Sequence, residues 1–344
     1  MKIDEHSKVL FFGAGAIGAS VGGWLSGRFA NVYFYDKPEI RDVLGDKGIT
    51  MYWGETPQEP CTVRARTIDD LRDAADARIV AIAVKNYSLE PVAKMIREAI
   101  GDNAIVIGLQ NGVENQKILP RYFSRVVYCI VSYNAWLDET GVVGYQKHGP
   151  LVLGTLHNEL MPEMKNIAKL WSHAVETVVT KRFQDAAHCK LIINLANSLT
   201  TLIGHRYREI SDRALFQKVL TNMTWEGVQI ARAAGYSESK LGGMPPWKLL
   251  WAGSHLPRFL TGRMFEKNVK KMVISSMAQD VLQRRQGESE LETINGYLLD
   301  LAREHGVVTP YNRVVYELCR KKFAEPDFQP MDITEVWHEI ELIL

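Results

Sequence analysis

No stretch of this chain approaches the roughly 20 consecutive apolar residues that a bilayer span requires. Its first residues, Met1 to His6, carry no signal-peptide core. Both absences point to a soluble, cytoplasmic protein with no membrane partner. Cysteine is scarce: Cys61, Cys129, Cys189 and Cys319 are scattered without a C-x-x-C pair, which excludes a disulfide framework and a cysteine zinc site. The 9 histidines lack metal-ligand spacing, so no metal is expected. Excess charge is also missing. With 41 Lys and Arg against 40 Asp and Glu the formal charge is +1, too little to attract nucleic acid globally. Any anionic ligand must therefore be held by local groups. No internal repeat or low-complexity segment is present.

What remains is a chain of 344 residues, 46% of them hydrophobic, long and apolar enough for two domains. In the first half, β-rich runs at Val9–Phe12, Val32–Tyr35, Ile79–Val84, Ala104–Gly108 and Val126–Val131 alternate with helical periods at Ala16–Ser26, Leu89–Ala99 and Glu114–Leu119. That alternation predicts a doubly wound α/β sheet of Rossmann type. Gly141–Tyr145 and Leu151–Gly154 read as a hairpin on the sheet edge. From about Gln184, helical segments take over: Ala186–Ile203, Ala214–Ala234, Lys267–Arg285, Glu290–His305 and Pro310–Phe323. The expected boundary lies near Arg182, giving a dinucleotide-binding domain over 1–182 and an all-α substrate and dimerisation domain over 183–344. The stretch from Gly242 to Trp251 reads as a loop and short helix.

The first run breaks into Gly13, Ala14, Gly15, Ala16, Ile17 and Gly18, a G-x-G-x-x-G between a strand and a helix. Glycines here permit a tight turn, close approach of backbone amides to a pyrophosphate, and close helix packing. The second strand ends in Asp36, at the distance where an acidic side chain binds the ribose hydroxyls. Asp36 repels a 2′-phosphate and so favours NAD(H); Lys37 beside it offsets part of that repulsion and keeps NADP(H) open.

In the helix from Ala186 to Ile203, Asn194 and Asn197 fall roughly 40° and 20° from Lys190. The intervening Leu191, Ile192, Ile193, Leu195, Ala196 and Leu199 bury the rest of the circumference. An ammonium in such surroundings needs a negative or hydrogen-bonding partner, and a substrate carbonyl or carboxylate suits it. A helix with one solvated polar stripe would show the same pattern. Cys189 reads as a buried small hydrophobe rather than a reactive thiol.

Taken in order, several motifs resemble the ketopantoate reductase family (2-dehydropantoate 2-reductases) over nearly the whole chain. They are Gly13 to Gly18, Ala83-Val84-Lys85, Leu109-Gln110-Asn111-Gly112, Lys190 to Asn194, Ser275 to Asp280, and Glu290 followed by Ile294 to Leu298. The resemblance implies reduction of a small 2-oxo acid, with Lys190 as the catalytic acid protonating the oxo oxygen as hydride arrives from the nicotinamide. It implies Asn111 near nicotinamide and substrate, and Lys85 at the mouth of the cofactor cleft. It places Asn194 and Ser276 on the substrate, and Glu290 on the substrate's hydroxyl.

Three departures bear on specificity. The family's second helix Asn lies eight residues after the lysine, where this chain has Ser198; Asn197 comes one residue early but stays on the lysine face, whereas an offset of eight rotates roughly 80° away. The segment from Ser276 to Glu290 is about two residues long, so Glu288 competes with Glu290. Asp36 stands where NADP-using members often carry a basic residue. A β-hydroxyacid dehydrogenase has a comparable lysine and Asn, but this chain lacks that family's Ser-Gly-Gly-type loop. A non-catalytic NAD(H) sensor is disfavoured by the intact Lys190, Asn194, Ser276 and Glu290. Arg263, Lys267, Lys270 and Lys271 read as a solvated helix face rather than a phosphate site. The final helix, Ile333 to Leu344, either packs on the α domain or joins a homodimer interface; its spacing fits both.

Overall fold

Strand β1 (Val9–Phe12) is apolar and buried along its whole length, as expected of a strand covered on both faces. It pairs in parallel with β2 (Val32–Tyr35) on one side and with β6 (Ile79–Ile82) on the other. This computed structural model describes residues 3–55, 57–241, 245–284 and 289–344. The chain divides into two compact units, Met1–Phe183 and Gln184–Leu344.

In the first unit, helix α1 (Ala16–Ser26) connects β1 to β2, and α2 (Pro38–Lys47) follows β2. Next come β3 (Ile49–Trp53), β4 (Gln58–Val63) and the short β5 (Arg66–Thr67), before β6 and helix α3 (Asn86–Ile100). Strand β7 (Ile105–Gly108), α4 (Asn115–Ile118), β8 (Val126–Val131), β9 (Ala135–Glu139), β10 (Val142–Tyr145), β11 (Leu151–Gly154), α5 (Met161–Trp171) and β12 (Thr177–Val179) complete the unit. The main sheet runs β12-β11-β8-β7-β6-β1-β2-β5. It is parallel from β5 to β8, and β11 then runs antiparallel to β8. Trp171, with no exposed surface, lies 6.4 Å from the ring of Phe11 and closes one face of the core.

The expected edge hairpin does not form. β11 joins the main sheet, while β10 enters a second sheet of order β4-β3-β10-β9. There β10 pairs in parallel with β3 and antiparallel with β9. The reason is local: Gly144 in β10 leaves room for the Trp136 ring of β9, where a Cβ would meet that indole at 2.4 Å. The β9–β10 turn therefore makes the tight hairpin, and Pro150 leads the chain away.

The second unit is helical, with one isolated bridge, His205 to Arg208, among its described residues. Its elements are α6 (Phe183–Leu202, which begins at the last residue of the first unit), α7 (Arg213–Ala233), α8 (Trp247–His255), α9 (Arg258–Val269), α10 (Ser276–Ala278), α11 (Tyr297–Glu304), α12 (Pro310–Phe323) and α13 (Ile333–Glu341). Helix α7 approaches α6 at Gly227, where a Cβ would meet Leu195 at 2.8 Å. The single helix expected over Lys267–Arg285 is instead two pieces. α9 stops at Val269, and Ser275, in extended backbone, starts α10 by accepting a hydrogen bond from the Ala278 amide at 3.1 Å. Two π-helical turns, Gln279–Gln283 and Glu292–Gly296, follow α10 and precede α11. The final helix packs on α7 and α12, with Val336 and Ile340 fully buried.

Glu226 ties α7 to the start of α12. Its carboxylate accepts from the Tyr311 amide at 3.0 Å and the Asn312 amide at 2.9 Å, and from Asn312 Nδ2 at 2.7 Å. This serves the orphan donors of a helix N-terminus. Burial nevertheless pushes the carboxyl up to about 7, against the pull of these donors. Because the folded state holds its proton more tightly than the unfolded state, stability from this group should be full below about 4.5 and decline as pH rises to about 7. Glu226→Ala strands buried donors and should cost roughly 2–4 kcal/mol. Denaturant melts across that pH window check both effects: the variant should be less stable and its pH slope flatter.

Candidate active site

The first unit gathers its expected residues at the carboxyl ends of four adjacent parallel strands. Gly13 follows β1, Asp36 follows β2, Lys85 lies just beyond β6, and Asn111 lies beyond β7. The chain goes from β1 to β2 on one side and returns to β6 on the other, so these ends flank a topological switch point, where open α/β sheets bind ligands. Gly13 has φ +94°, and a Cβ there would sit 3.0 Å from Val84 Cγ1. A Cβ on Gly18 would meet the Gly13 carbonyl at 1.9 Å, whereas Gly15 faces open space. Turn, packing and open approach are thus divided among the three glycines as a pyrophosphate site requires. Gly15 is the N-cap of α1 and no side chain caps the helix, which leaves its first amides to an anionic group. The loop fits a dinucleotide.

Asp36 accepts from the Ala14 amide at 2.6 Å and from the Lys37 amide at 2.8 Å, so its carboxylate is fixed beside the glycine loop. Lys37 is exposed. The nearby Arg41 guanidinium is engaged elsewhere, donating to the Ile68 carbonyl and to Asp69, each at 2.8 Å. Lys85 is the N-cap residue of α3. Asn111 sits in a loop whose next residue, Gly112, has φ +85°.

Reading the sequence did not assign the groups that hold that loop. Gln110 Nε2 donates to the Ile82 and Val84 carbonyls at 2.7 and 3.2 Å, Asn86 Nδ2 to the Asn111 carbonyl at 2.7 Å, and Asn115 Nδ2 to Gln110 Oε1 at 3.2 Å. A signal was present, in that carboxamides precede and follow Asn111 and begin α3. Their partners are the Ile82, Val84 and Asn111 carbonyls and the Gln110 side chain, which no spacing reveals.

In the second unit, α6 buries Leu191, Ile192, Leu195 and Leu199 almost completely, leaving Lys190 and Asn197 half-buried. Asn194 is 6% exposed and its Nδ2 has no hydrogen-bond partner. Ser198 points elsewhere. Fully buried, it donates to the Leu195 carbonyl at 2.9 Å and accepts from Asn295 Nδ2 at 2.9 Å. Asn197 therefore keeps the lysine face, and Ser198 joins α6 to the turn before α11. Ser276 is half-buried at the first position of α10, and its neighbour Ser275 contacts Thr201 of α6 at 3.3 Å. Glu290 is 4% exposed, in the turn that leads into Leu291. Glu288 lies outside the described residues.

A second tie joins the same elements. His188 Nδ1 is 2.8 Å from the Gln184 carbonyl, which sets the Nδ1–H tautomer, and Nε2 then accepts from the Tyr297 hydroxyl at 2.9 Å. The imidazole stacks on Tyr236 at 3.6 Å, and burial pulls it down to about 4, so it is neutral at pH 7. Burial pushes the Cys189 thiol up, which makes it unreactive. Among the described residues, no group of three or more His, Cys, Asp or Glu could hold a metal ion, and no helix is long and apolar enough to cross a membrane.

Comparison with known proteins gives one consistent answer. Residues 9–158 match the family model described as Ketopantoate reductase PanE/ApbA, and residues 182–323 the model of its C-terminal part. The 2-dehydropantoate 2-reductase of Archaeoglobus fulgidus is 27% identical over 319 residues, covering 91% of this chain and 97% of the relative. That of Halobacterium salinarum is 24% identical, covering 91% and 98%. Among solved structures, a PanE/ApbA family ketopantoate reductase from Ralstonia eutropha JMP134 shares 25% identity at TM-score 0.72, covering 91% of this chain and 97% of its own. D-mandelate dehydrogenase with NADH and anilino(oxo)acetate shares the fold at TM-score 0.75 and 18% identity, covering 94% and 100%. A dimeric ketopantoate reductase from Staphylococcus aureus does so at 0.67 and 19%, covering 92% and 98%.

Removing the Tyr297 hydroxyl tests the second tie. Tyr297→Phe leaves His188 Nε2 buried without a donor and should cost roughly 1–3 kcal/mol. Urea unfolding measures the loss, and cofactor affinity should stay near wild type because the hydroxyl belongs to the second unit.

Proposed function

Since the chain belongs to the ketopantoate reductase family, we propose that it reduces a 2-oxo acid to a 2-hydroxy acid with NAD(P)H, and that 2-dehydropantoate is the acid that engages most of its side chains. The observation that carries this reading is Asn194. A carboxamide donor buried without a partner costs on the order of 1–3 kcal/mol, and it lies one helical turn from Lys190. A substrate oxygen supplies the missing acceptor. The nicotinamide, when bound, supplies hydride to the 2-oxo carbon. Lys190 gives its proton to the oxygen as negative charge develops there. Asn194, Asn197 and Ser276 hold the carboxylate, and the Glu290 carboxylate accepts from the substrate's hydroxyl. Gly13 to Gly18 and the α1 amides receive the pyrophosphate, with Lys85 and Asn111 at the neighbouring strand ends. We infer a cytoplasmic enzyme that works as a homodimer.

Steady-state kinetics on 2-dehydropantoate and 2-oxoisovalerate test the assignment. The hydroxylated acid should be strongly preferred, since its analogue leaves a buried carboxylate unpaired, and Glu290→Ala should erase much of the preference. Lys190→Ala should lower kcat by about 10² or more, the scale of losing a general acid, with cofactor binding nearly unchanged. Wild-type turnover in that variant would remove Lys190 from its role. Binding of NADH with no turnover on any 2-oxo acid would identify a sensor instead.

Cofactor preference follows from Asp36, whose fixed carboxylate repels a 2′-phosphate while Arg41 is occupied by Asp69. NADH should be preferred to NADPH, and Asp36→Ser should narrow the gap. The ratio of kcat/KM for the two cofactors decides it; a wild-type ratio at or below one would assign the pocket to Lys37.

A further inference from the structure

Helices α8 and α9 lie on α7 by one side only. Trp247 and Leu250 pack on Val228 and Ala231, a Cβ on Gly253 would meet Thr221 Cγ2 at 3.2 Å, Thr261 accepts from Gln217 at 2.8 Å, and the Phe265 ring stands 5.5 Å from that of Phe216. Those contacts hold the pair in place. Yet Leu249, Trp251, Leu256, Phe259, Leu260 and Met264 are all exposed, Phe259 by 82% and Leu260 by 60%. They make up six of the fourteen exposed large apolar side chains among the described residues, gathered within 16 residues of chain. Trp53, Tyr87, Met95, Tyr207 and Val308 stand singly, as on any protein surface, and the run Leu342 to Leu344 has Glu339 and Glu341 beside it rather than cations.

Charge gathers in the same place. From Trp247 to Lys271 the chain carries Lys248, Arg258, Arg263, Lys267, Lys270 and Lys271 against the single carboxylate of Glu266, a net of +5 in a chain whose total is +1. The remainder is therefore net acidic. Glu266 is itself engaged, by Arg258 at 3.5 Å and by Arg213 of α7 at 3.8 Å. At about 100° per residue, Phe259, Leu260, Arg263, Met264, Lys267 and Lys270 share an arc of about 140° on α9, turned away from Thr261, Phe265 and Val269. Cations and apolar groups thus present one face. Arg258, Arg263, Lys267 and Lys270 line a shallow groove with Phe259, and where α8 turns into α9 every residue from His255 to Leu260 is exposed.

We propose that the α8–α9 face docks on an anionic lipid surface, with Leu256, Phe259 and Leu260 entering the boundary between headgroups and acyl chains and Arg263, Lys267 and Lys270 meeting the lipid phosphates. Interfacial segments combine Trp, Phe and Leu with Lys and Arg in this way, and each cation close to an anionic leaflet multiplies partitioning roughly five-fold. Such attachment needs no spanning helix. A protein partner would need an acidic, apolar cleft shaped to this turn, whereas a bilayer accepts a projecting apolar tip of any outline. None of these side chains is assigned to reduction, so docking and turnover can be read separately.

Co-sedimentation of the full chain with vesicles tests the surface. Wild type should pellet with mixed phosphatidylserine and phosphatidylcholine vesicles, stay in solution with phosphatidylcholine alone, and be released as salt rises. Lys267→Glu with Lys270→Glu should lower the partition coefficient ten-fold or more, as should Phe259→Ser with Leu260→Ser, while both variants keep NADH binding and a cooperative melt. All four positions are exposed. Wild type that ignores the anionic vesicles, or binds both kinds equally, overturns the proposal. Binding that survives either pair of substitutions moves the docking surface elsewhere and overturns it as well. Wild type that ignores vesicles but self-associates in sedimentation velocity, with the association lost in the same variants, gives the face to a second copy instead.

Discussion

A helix buried on most of its circumference can carry polar side chains only where each finds a partner, and α6 imposes that requirement on the whole second unit. His188, Ser198 and Thr201 meet Tyr297, Asn295 and Ser275, which belong to the segments bearing Glu290 and Ser276. The partners that satisfy α6 thereby fix where the other candidate substrate groups stand. Asn194 is the exception that matters, since its Nδ2 is left without a protein partner on the face that carries Lys190. Desolvation sets the price of that exception at a level a functional role readily explains.

In the first unit the governing constraint is steric rather than polar. Gly18 cannot carry a Cβ without meeting the Gly13 carbonyl, whereas Gly15 could carry one freely. The space beside Gly15 leaves its backbone open to close approach by a ligand. The Asp36 carboxylate draws the end of β2 onto the same loop through the Ala14 amide, so the group expected to read the ribose also stiffens the turn for the pyrophosphate. Changing Asp36 therefore also removes a bond that holds the glycine turn.

Much of this was legible in the sequence because the relevant forces are local. Strand burial, the glycine turn, Asp36 and the polar face of α6 each follow from periodicity or from neighbours a few residues away. Helical rotation places Asn197 rather than Ser198 on the Lys190 side, and the Ser198 bond to Asn295 accounts for the burial of the serine. The second sheet was not legible. It joins β10 to β3 across the chain, and Gly144 weakens the strand pattern while serving the indole of Trp136. The break between α9 and α10 was hidden because helical spacing continues through it, and only the Ser275 cap marks a new start.

The polar ties of the second unit were hidden for a different reason. Ser198 and Asn295 are 97 residues apart, and His188 and Tyr297 are 109 apart. Hydrogen bonds over such separations leave no periodic trace, since each partner alone reads as an ordinary polar residue in a helix. Yet both ties involve residues within ten positions of Lys190 or Glu290 along the chain, the first buried and the second partly so. A buried hydrogen bond loses its worth if its partners shift by a fraction of an ångström, whereas apolar contacts tolerate small slides. Polar ties next to Lys190 and Glu290 therefore hold the segments that carry these two side chains in one arrangement more tightly than a wholly apolar interface would.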